Sequence, residues 1–253
     1  MNKEIDLSKY QIRTDLTIDE LEKDSKLKGI KIEDRVVNEI KITDVDLEED
    51  NALGKKKGKY ITLEFEDITD SENASRVSDV LIEVLKDVIK LKKDSYGLIV
   101  GLGNDKSTPD SLGPLTINKI IVTNHIYLLD ELSEEYRRLS AINPGVMGET
   151  GIETSDIIES VVSKIKPDYL IVIDSLASKS IERLNKTIQI TDTGIHPGSG
   201  IGNKRKEISY DTIGIPVIAI GVPTVVDAAV IVSDTINFIY KNYEFNKNYS
   251  NIP

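Results

Sequence analysis

The chain has 253 residues, 43 acidic against 32 basic side chains, a formal net charge of −11, and neither cysteine nor tryptophan. Without cysteine there are no disulfides, thiolate metal sites or thiol nucleophiles, and two histidines are too few for a histidine-rich metal site. The acidic balance argues against direct nucleic-acid binding, which needs a basic face.

Residues 1–35 are polar and rich in Asp, Glu and Lys, and are expected to add no core element of their own. The alternation over 37–42 and 61–66 predicts two half-exposed strands of a hairpin region, joined by a solvated loop from Glu48 to Gly58. Between Ser75 and Lys92, Val77, Val80, Leu81, Val84, Leu85, Val88 and Ile89 recur three and four apart, the spacing of an amphipathic helix. An αβ alternation follows: strand 97–103, a helix near 111–123, an irregular Gly-rich stretch over 143–151, helix 154–165, strand 169–174, helix 177–184, strand 216–221 and helix 224–240. Strands alternating with helices predict right-handed crossovers in one α/β domain, a mainly parallel sheet flanked by helices with an added N-terminal β-hairpin region. The N-terminus lacks an apolar secretory core, and the apolar stretch 215–232 is broken by Pro216, Gly221, Pro223 and Asp227, so no membrane span is expected and the cytoplasm is the default location.

Two carboxylates stand out. Asp110 and Asp174 each lie just beyond an apolar run, 97–103 and 169–173, that reads as a buried strand. Ligands and reactants in open α/β sheets gather outside the carboxyl ends of strands, so the two converge on one site if the strands are parallel neighbours. Adjacent carboxylates split their pKa values into one acid and one base, a pair able to activate water for amide hydrolysis. The plainer reading makes Asp110 a helix N-cap and Asp174 a cap for a helix starting at Leu176. Gly101-Leu102-Gly103 resembles the start of a dinucleotide fingerprint, yet the third glycine would fall at Lys106. The run Thr193 to Lys206 has four glycines and three cations at its end, as in a loop that presents amides to an oxyanion or closes over a cleft. His196 within it is a candidate assistant to catalysis or a brace of the loop. His125 reads as structural, Asp227 as a residue stabilising the last helix, and Ser175 and Ser178 have no histidine near them in sequence to support a serine nucleophile.

Several segments together resemble the germination proteases of spore-forming bacteria. They include Glu4-Ile5-Asp6-Leu7-Ser8-Lys9-Tyr10 with Arg13-Thr14-Asp15-Leu16, Gly54-Lys55-Lys56-Lys57-Gly58-Lys59-Tyr60, Val100-Gly101-Leu102-Gly103-Asn104, and Thr108-Pro109-Asp110. Further blocks are Pro144-Gly145-Val146-Met147-Gly148, Gly151-Ile152-Glu153-Thr154-Ser155-Asp156, Ile173-Asp174-Ser175-Leu176-Ala177, the His196 loop through Tyr210, and Gly221-Val222-Pro223-Thr224-Val225-Val226-Asp227. The resemblance implies a fold like the hydrogenase-maturation endopeptidases and an atypical aspartic mechanism with Asp110 and Asp174 as the dyad; no cofactor is expected, and metal-free catalysis ranks above a route through a divalent metal. It implies small acid-soluble spore proteins as substrates in the spore core, a tetramer, and a zymogen. By the same resemblance the propeptide would be 1–16, cut near Leu16-Thr17, in a segment expected to be exposed and flexible, leaving 17–253 as the peptidase domain. Family members continue beyond the last helix, so a shortened or truncated form is implied.

Two rival readings stay open at this level. A metal-dependent peptidase would use Asp110, Asp174 and His196 as ligands of a divalent ion. A non-catalytic α/β module would bind a nucleotide or partner at the Gly101-Gly103 turn.

Overall fold

The structure, a computed structural model, describes residues 12–21, 29–50, 53–90, 92, 94–131, 133, 135–202 and 205–249, of which 201 and 241–249 are described by backbone alone. The first eleven residues of the expected propeptide, Asn203 and Lys204 of the glycine-rich run and the last four residues lie outside the described set.

The strands are β1 (Ile30–Val37), β2 (Ile40–Leu47), β3 (Gly58–Glu64), β4 (Gly97–Gly101), β5 (Leu139–Ile142), β6 (Tyr169–Ser178), β7 (Thr187–Thr191) and β8 (Val217–Val226). The helices are α1 (Ile18–Leu21), α2 (Ser71–Val88), α3 (Leu112–Ile117), α4 (Asn124–Tyr127), α5 (Met147–Thr150), α6 (Thr154–Ile165), α7 (Tyr210–Ile213) and α8 (Ala228–Tyr249). All strands join one sheet in the order β1-β2-β3-β7-β8-β6-β4-β5. The β8-β6-β4-β5 half is parallel, whereas β1-β2, β2-β3, β3-β7 and β7-β8 are antiparallel. The expected mainly parallel sheet is therefore corrected to a mixed one with a parallel half and an antiparallel half. The reason is β7: Ile188 and Ile190 alternate with Gln189, and this short strand enters antiparallel between β8 and β3, fusing the N-terminal hairpins onto the α/β unit.

Alternating residues of the strands feed two layers. Ile42, Leu63, Ile190 and Ile218 face α2 through Val77, Val80 and Val84. Leu98, Val100, Leu170, Val172 and Val217 face α6 through Ile158 and Val162. Neighbours Val217 and Ile218 point into different clusters, as a pleated strand requires. Helix α2 starts where Asp70 accepts the Asn73 amide at 2.9 Å, an N-cap.

Four local expectations are corrected. Residues 37–42 are a hairpin tip rather than one strand, since Asn38 and Glu39 take φ of 49° and 67°, the left-handed pair that a two-residue turn between twisted strands requires. The helix near 111–123 closes after Ile117. Residues 177–184 do not form a helix: β6 continues to Ser178 because β8 pairs with it as far as Val226, and a short 3-10 turn at Ile181–Arg183 follows. The N-terminal segment is not free of core residues, for Leu16 is fully buried and Ile18 nearly so, packed on Leu176 with Ile195.

Among the described residues no helix is long and apolar enough to cross a membrane. The last helix starts later than the expected 224, because β8 stays extended through Val226 and α8 begins at Ala228, where the Asp227 carboxylate accepts the Ala229 amide at 2.8 Å.

Candidate active site

Strand β4 delivers one carboxylate and β6 the other. The two strands are parallel neighbours in register from Gly97 opposite Tyr169 to Gly101 opposite Ile173, and the Leu102 amide donates to the Ile173 carbonyl at 2.8 Å. Beyond that point the chain leaves the sheet and turns back in a 3-10 turn at Thr108–Asp110. The turn is pinned at both ends: Asn104 N–H donates to the Asp110 carbonyl at 2.9 Å, and Thr224 Oγ1 at the end of β8 donates to the Pro109 carbonyl at 2.6 Å. Gly103, at φ of 110°, makes the approach possible, since a Cβ there would run into the Asp110 carbonyl oxygen. Asp110 is not an N-cap. Helix α3 begins after Ser111, and no side-chain cap bond forms there.

Asp174 sits within β6, opposite Gly221 of β8, so it caps no helix either. It is only 6% exposed, and its Oδ1 accepts a hydrogen bond from the Ser175 amide at 2.8 Å. Burial pushes its pKa up to about 8 against the pull of that amide, and the charges of Asp110 and Asp15 add to the rise. Burial also holds Asp110 above the ordinary carboxylate range, partly offset by the Asn104 amide. Both carboxylates line one cleft of about 100 Å³ together with Gly103, Met147, Glu153 and Arg205. Arg205 lies 3.6 Å from Glu153, which makes it a cation at the rim that sequence reasoning did not single out.

His196 is elsewhere. It lies 3.7 Å from Glu207, more than half exposed, and lines a second, larger cavity of about 540 Å³ with Lys55, Gln189, Leu176 and Gly221. Among the described residues no group of three or more His, Asp or Glu side chains is gathered as a metal cage. Asp110 and Asp174 thus offer two donors without His196 as the third. The glycine-rich run is tied at its base by the antiparallel Ile195–Ile208 bridge. The Gly101-Gly103 turn leads into the carboxylate cleft, and Lys106 bonds Glu149 at 2.8 Å.

The N-terminal segment is the larger surprise. Leu16 and Thr17 are both fully buried, so the bond expected to be cut is not exposed here. Asp15 N–H donates to the Ala177 carbonyl at 2.9 Å. Its carboxylate accepts from Ala177 N–H at 2.9 Å and Ser199 Oγ at 2.6 Å. Four residues on from Asp15, Asp19 takes hydrogen bonds from Thr14 Oγ1, Ser178 Oγ, the Lys179 amide and Arg183 Nη1.

An α/β sheet that brings a raised-pKa carboxylate within one strand and another from the turn after its parallel neighbour into one cleft defines a molecule equipped for acid–base chemistry. The germination protease family model matches residues 8–252. Germination proteases of Geobacillus sp., Priestia megaterium and Oceanobacillus iheyensis are 50%, 49% and 48% identical to this chain, over 96%, 96% and 92% of it and 71%, 71% and 69% of their own lengths. The chain belongs to the germination protease family, and so to the peptidases.

Proposed function

We propose that this chain is an endopeptidase that opens the degradation of small acid-soluble spore proteins during germination, working in the spore core without a metal, with Asp110 and Asp174 as its dyad. The observation that carries the reading is the shared cleft of two carboxylates with unequal burial. Asp174, raised to about 8, holds its proton at neutral pH, and Asp110, less buried, is the one left to ionise. Such a pair titrates as one unit.

In this mechanism Asp174 O–H hydrogen-bonds the scissile carbonyl oxygen. Asp110 takes a proton from water as the water oxygen bonds the carbonyl carbon and the carbonyl oxygen takes the proton of Asp174, giving a tetrahedral diol. The proton then passes from Asp110 to the amide nitrogen, the C–N bond breaks, and Asp174 recovers its proton as the carboxylic acid product forms. Arg205 at the rim supplies positive potential where the oxygen gains charge.

The zymogen follows from the same reading. Residues 1–16 are the propeptide, and with the Leu16–Thr17 bond buried the segment leaves its seat before it is cut. A chain beginning at Thr17 should cleave spore protein, and the intact chain should not; equal rates would remove the zymogen from the account. The decisive experiment on the dyad is gel-resolved cleavage of a purified small acid-soluble spore protein in chelator, by the processed chain beside its Asp174→Asn and Asp110→Asn variants. Loss of about a thousandfold or more in each folded variant supports the dyad. Activity that vanishes in chelator and returns with one divalent ion supports the metal-dependent reading instead. A tetramer, the family expectation, is checked by sedimentation velocity.

A further inference from the structure

Gln189, Gly221 and Asp174 form one row across three strands: Gln189 of β7 is opposite Gly221 of β8, and Gly221 is opposite Asp174 of β6. Side chains of laterally paired residues project from the same face, here the face away from α2, and two strand spacings put the backbones of Gln189 and Asp174 about 10 Å apart. The middle position carries no side chain. A Cβ on Gly221 would come within 2.5 Å of the Leu176 side chain, so its absence lets Leu176 lie across the row as an apolar floor.

The chain's own N-terminal segment rests on that floor. Gln189, 6% exposed, donates Nε2–H to the Asp15 carbonyl at 3.1 Å and accepts the Thr17 amide on Oε1 at 2.6 Å. Its carboxamide therefore grips the carbonyl before Leu16 and the amide after it. A strand edge holds one residue of a parallel neighbour in the same way. Lys55 Nζ donates to the same Asp15 carbonyl at 2.8 Å. Leu16 fills the apolar seat of Leu176, Ile18 and Ile195.

Main-chain contacts of this kind do not depend on which side chains the occupant carries. If the segment left, the Gln189 amide and the Lys55 ammonium would lose these bonds inside the protein, which is costly until something replaces them. The cavity of about 540 Å³ continues the seat, lined by Lys55, Gln189, Leu176 and Gly221. Gly221, which lines that cavity, is paired with Asp174, which places the seat beside the carboxylate cleft.

We propose that the face of Gln189, Lys55 and Leu176 is a peptide-binding groove for an extended main chain, that Gln189 clamps the carbonyl and amide on either side of one aliphatic residue, and that residues 14–17 are its resident occupant. This rests on the peptidase reading and deepens it, since the groove aligns a substrate with the dyad.

The test uses full-length protein carrying Leu16→Asp, which expels the resident segment by setting a carboxylate in its apolar seat, and a fluorescent peptide copying residues 13–20. Anisotropy should show at least tenfold tighter binding to this variant than to the native chain. A peptide N-methylated at the position copying Thr17 should bind at least tenfold more weakly. Adding Gln189→Leu should weaken the unmethylated peptide similarly and abolish the difference between the two peptides. If Leu16→Asp does not show the native circular dichroism spectrum, Asp15→Ala, which deletes two hydrogen bonds of a half-buried side chain, serves the same comparison. No binding to a folded variant, or equal binding of both peptides, overturns the groove. Cleavage is assayed separately: a chain that cleaves spore protein but binds no peptide rejects the groove alone, and one that binds peptide but never cleaves rejects the dyad alone.

Discussion

Asp15 and Ala177 are joined by two hydrogen bonds of 2.9 Å, one from each backbone amide, across 162 residues of chain. One is accepted by a carbonyl and the other by the Asp15 carboxylate, so Asp15 uses its side chain where a strand would use its backbone. Asp15→Asn keeps the shape and weakens the acceptor. It is expected to loosen residues 12–21, giving faster nicking there by an added protease. Unchanged nicking would mean that Leu16 alone holds the segment.

Leu16→Ala should test that second anchor. Leu16 is fully buried on Leu176, and truncating a buried leucine costs about 2–5 kcal/mol, toward the lower end where the surroundings can collapse. Urea unfolding should show the loss, and a value near zero would mean that the segment undocks well before the domain unfolds.

Arg183 and Asp19 make an ion pair in which the Asp19 side chain is wholly buried. Removing one partner of such a pair costs about 3–5 kcal/mol, because the other is left as an uncompensated charge. Arg183→Ala is expected to lower the urea midpoint markedly, and Arg183→Ala with Asp19→Asn to recover part of it. Failure of the double variant to recover would place the cost in lost packing rather than charge.

Asp174 makes stability depend on pH in a stated direction. Its carboxyl ionises near 4 in the unfolded chain and near 8 in the folded one. Between those values the folded state holds the extra proton, so the stability this group contributes is present below about pH 4 and is lost as pH rises through about 8. Unfolding free energy measured from pH 4 to 9 should fall by an amount on the order of a few kcal/mol, and Asp174→Asn should flatten the fall. The alkaline limb of the cleavage rate should lie near the same pH. A stability curve unaffected by the substitution would show that Asp174 is ionised throughout.

Much of the parallel half was legible because its strands are continuous apolar runs, and a charged residue just past such a run, as at Asp110 and Asp174, is conspicuous. The plainer reading, in which both carboxylates cap helices, failed at each, because Ser111 starts α3 and β6 simply continues. Strand β5, four residues long, offers too short a pattern to count. Strand β7 does alternate, but Leu176 and Ala177 invited a helix just before it, and only pairing with β8 keeps that stretch extended. Leu16 and Ile18 looked too sparse for a core since their partners, Leu176 and Ile195, come from distant parts of the chain. Gln189 carries no charge and belongs to no motif, so nothing in the sequence marked it, whereas His196 drew notice for its chemistry and lies away from the cleft that holds the dyad.

The seat of residues 14–19 also imposes an order in time. Its contacts are to Ala177, Lys179, Gln189 and Ser199, on average some 170 residues later in the chain. Ribosomes add about 5–20 residues per second. Residues 14–19 are thus made well before the strands that seat them and are left without those partners for roughly 9–34 s. A protease in the same compartment meets the Leu16–Thr17 bond most openly during synthesis, and the finished protein is the form best defended against it.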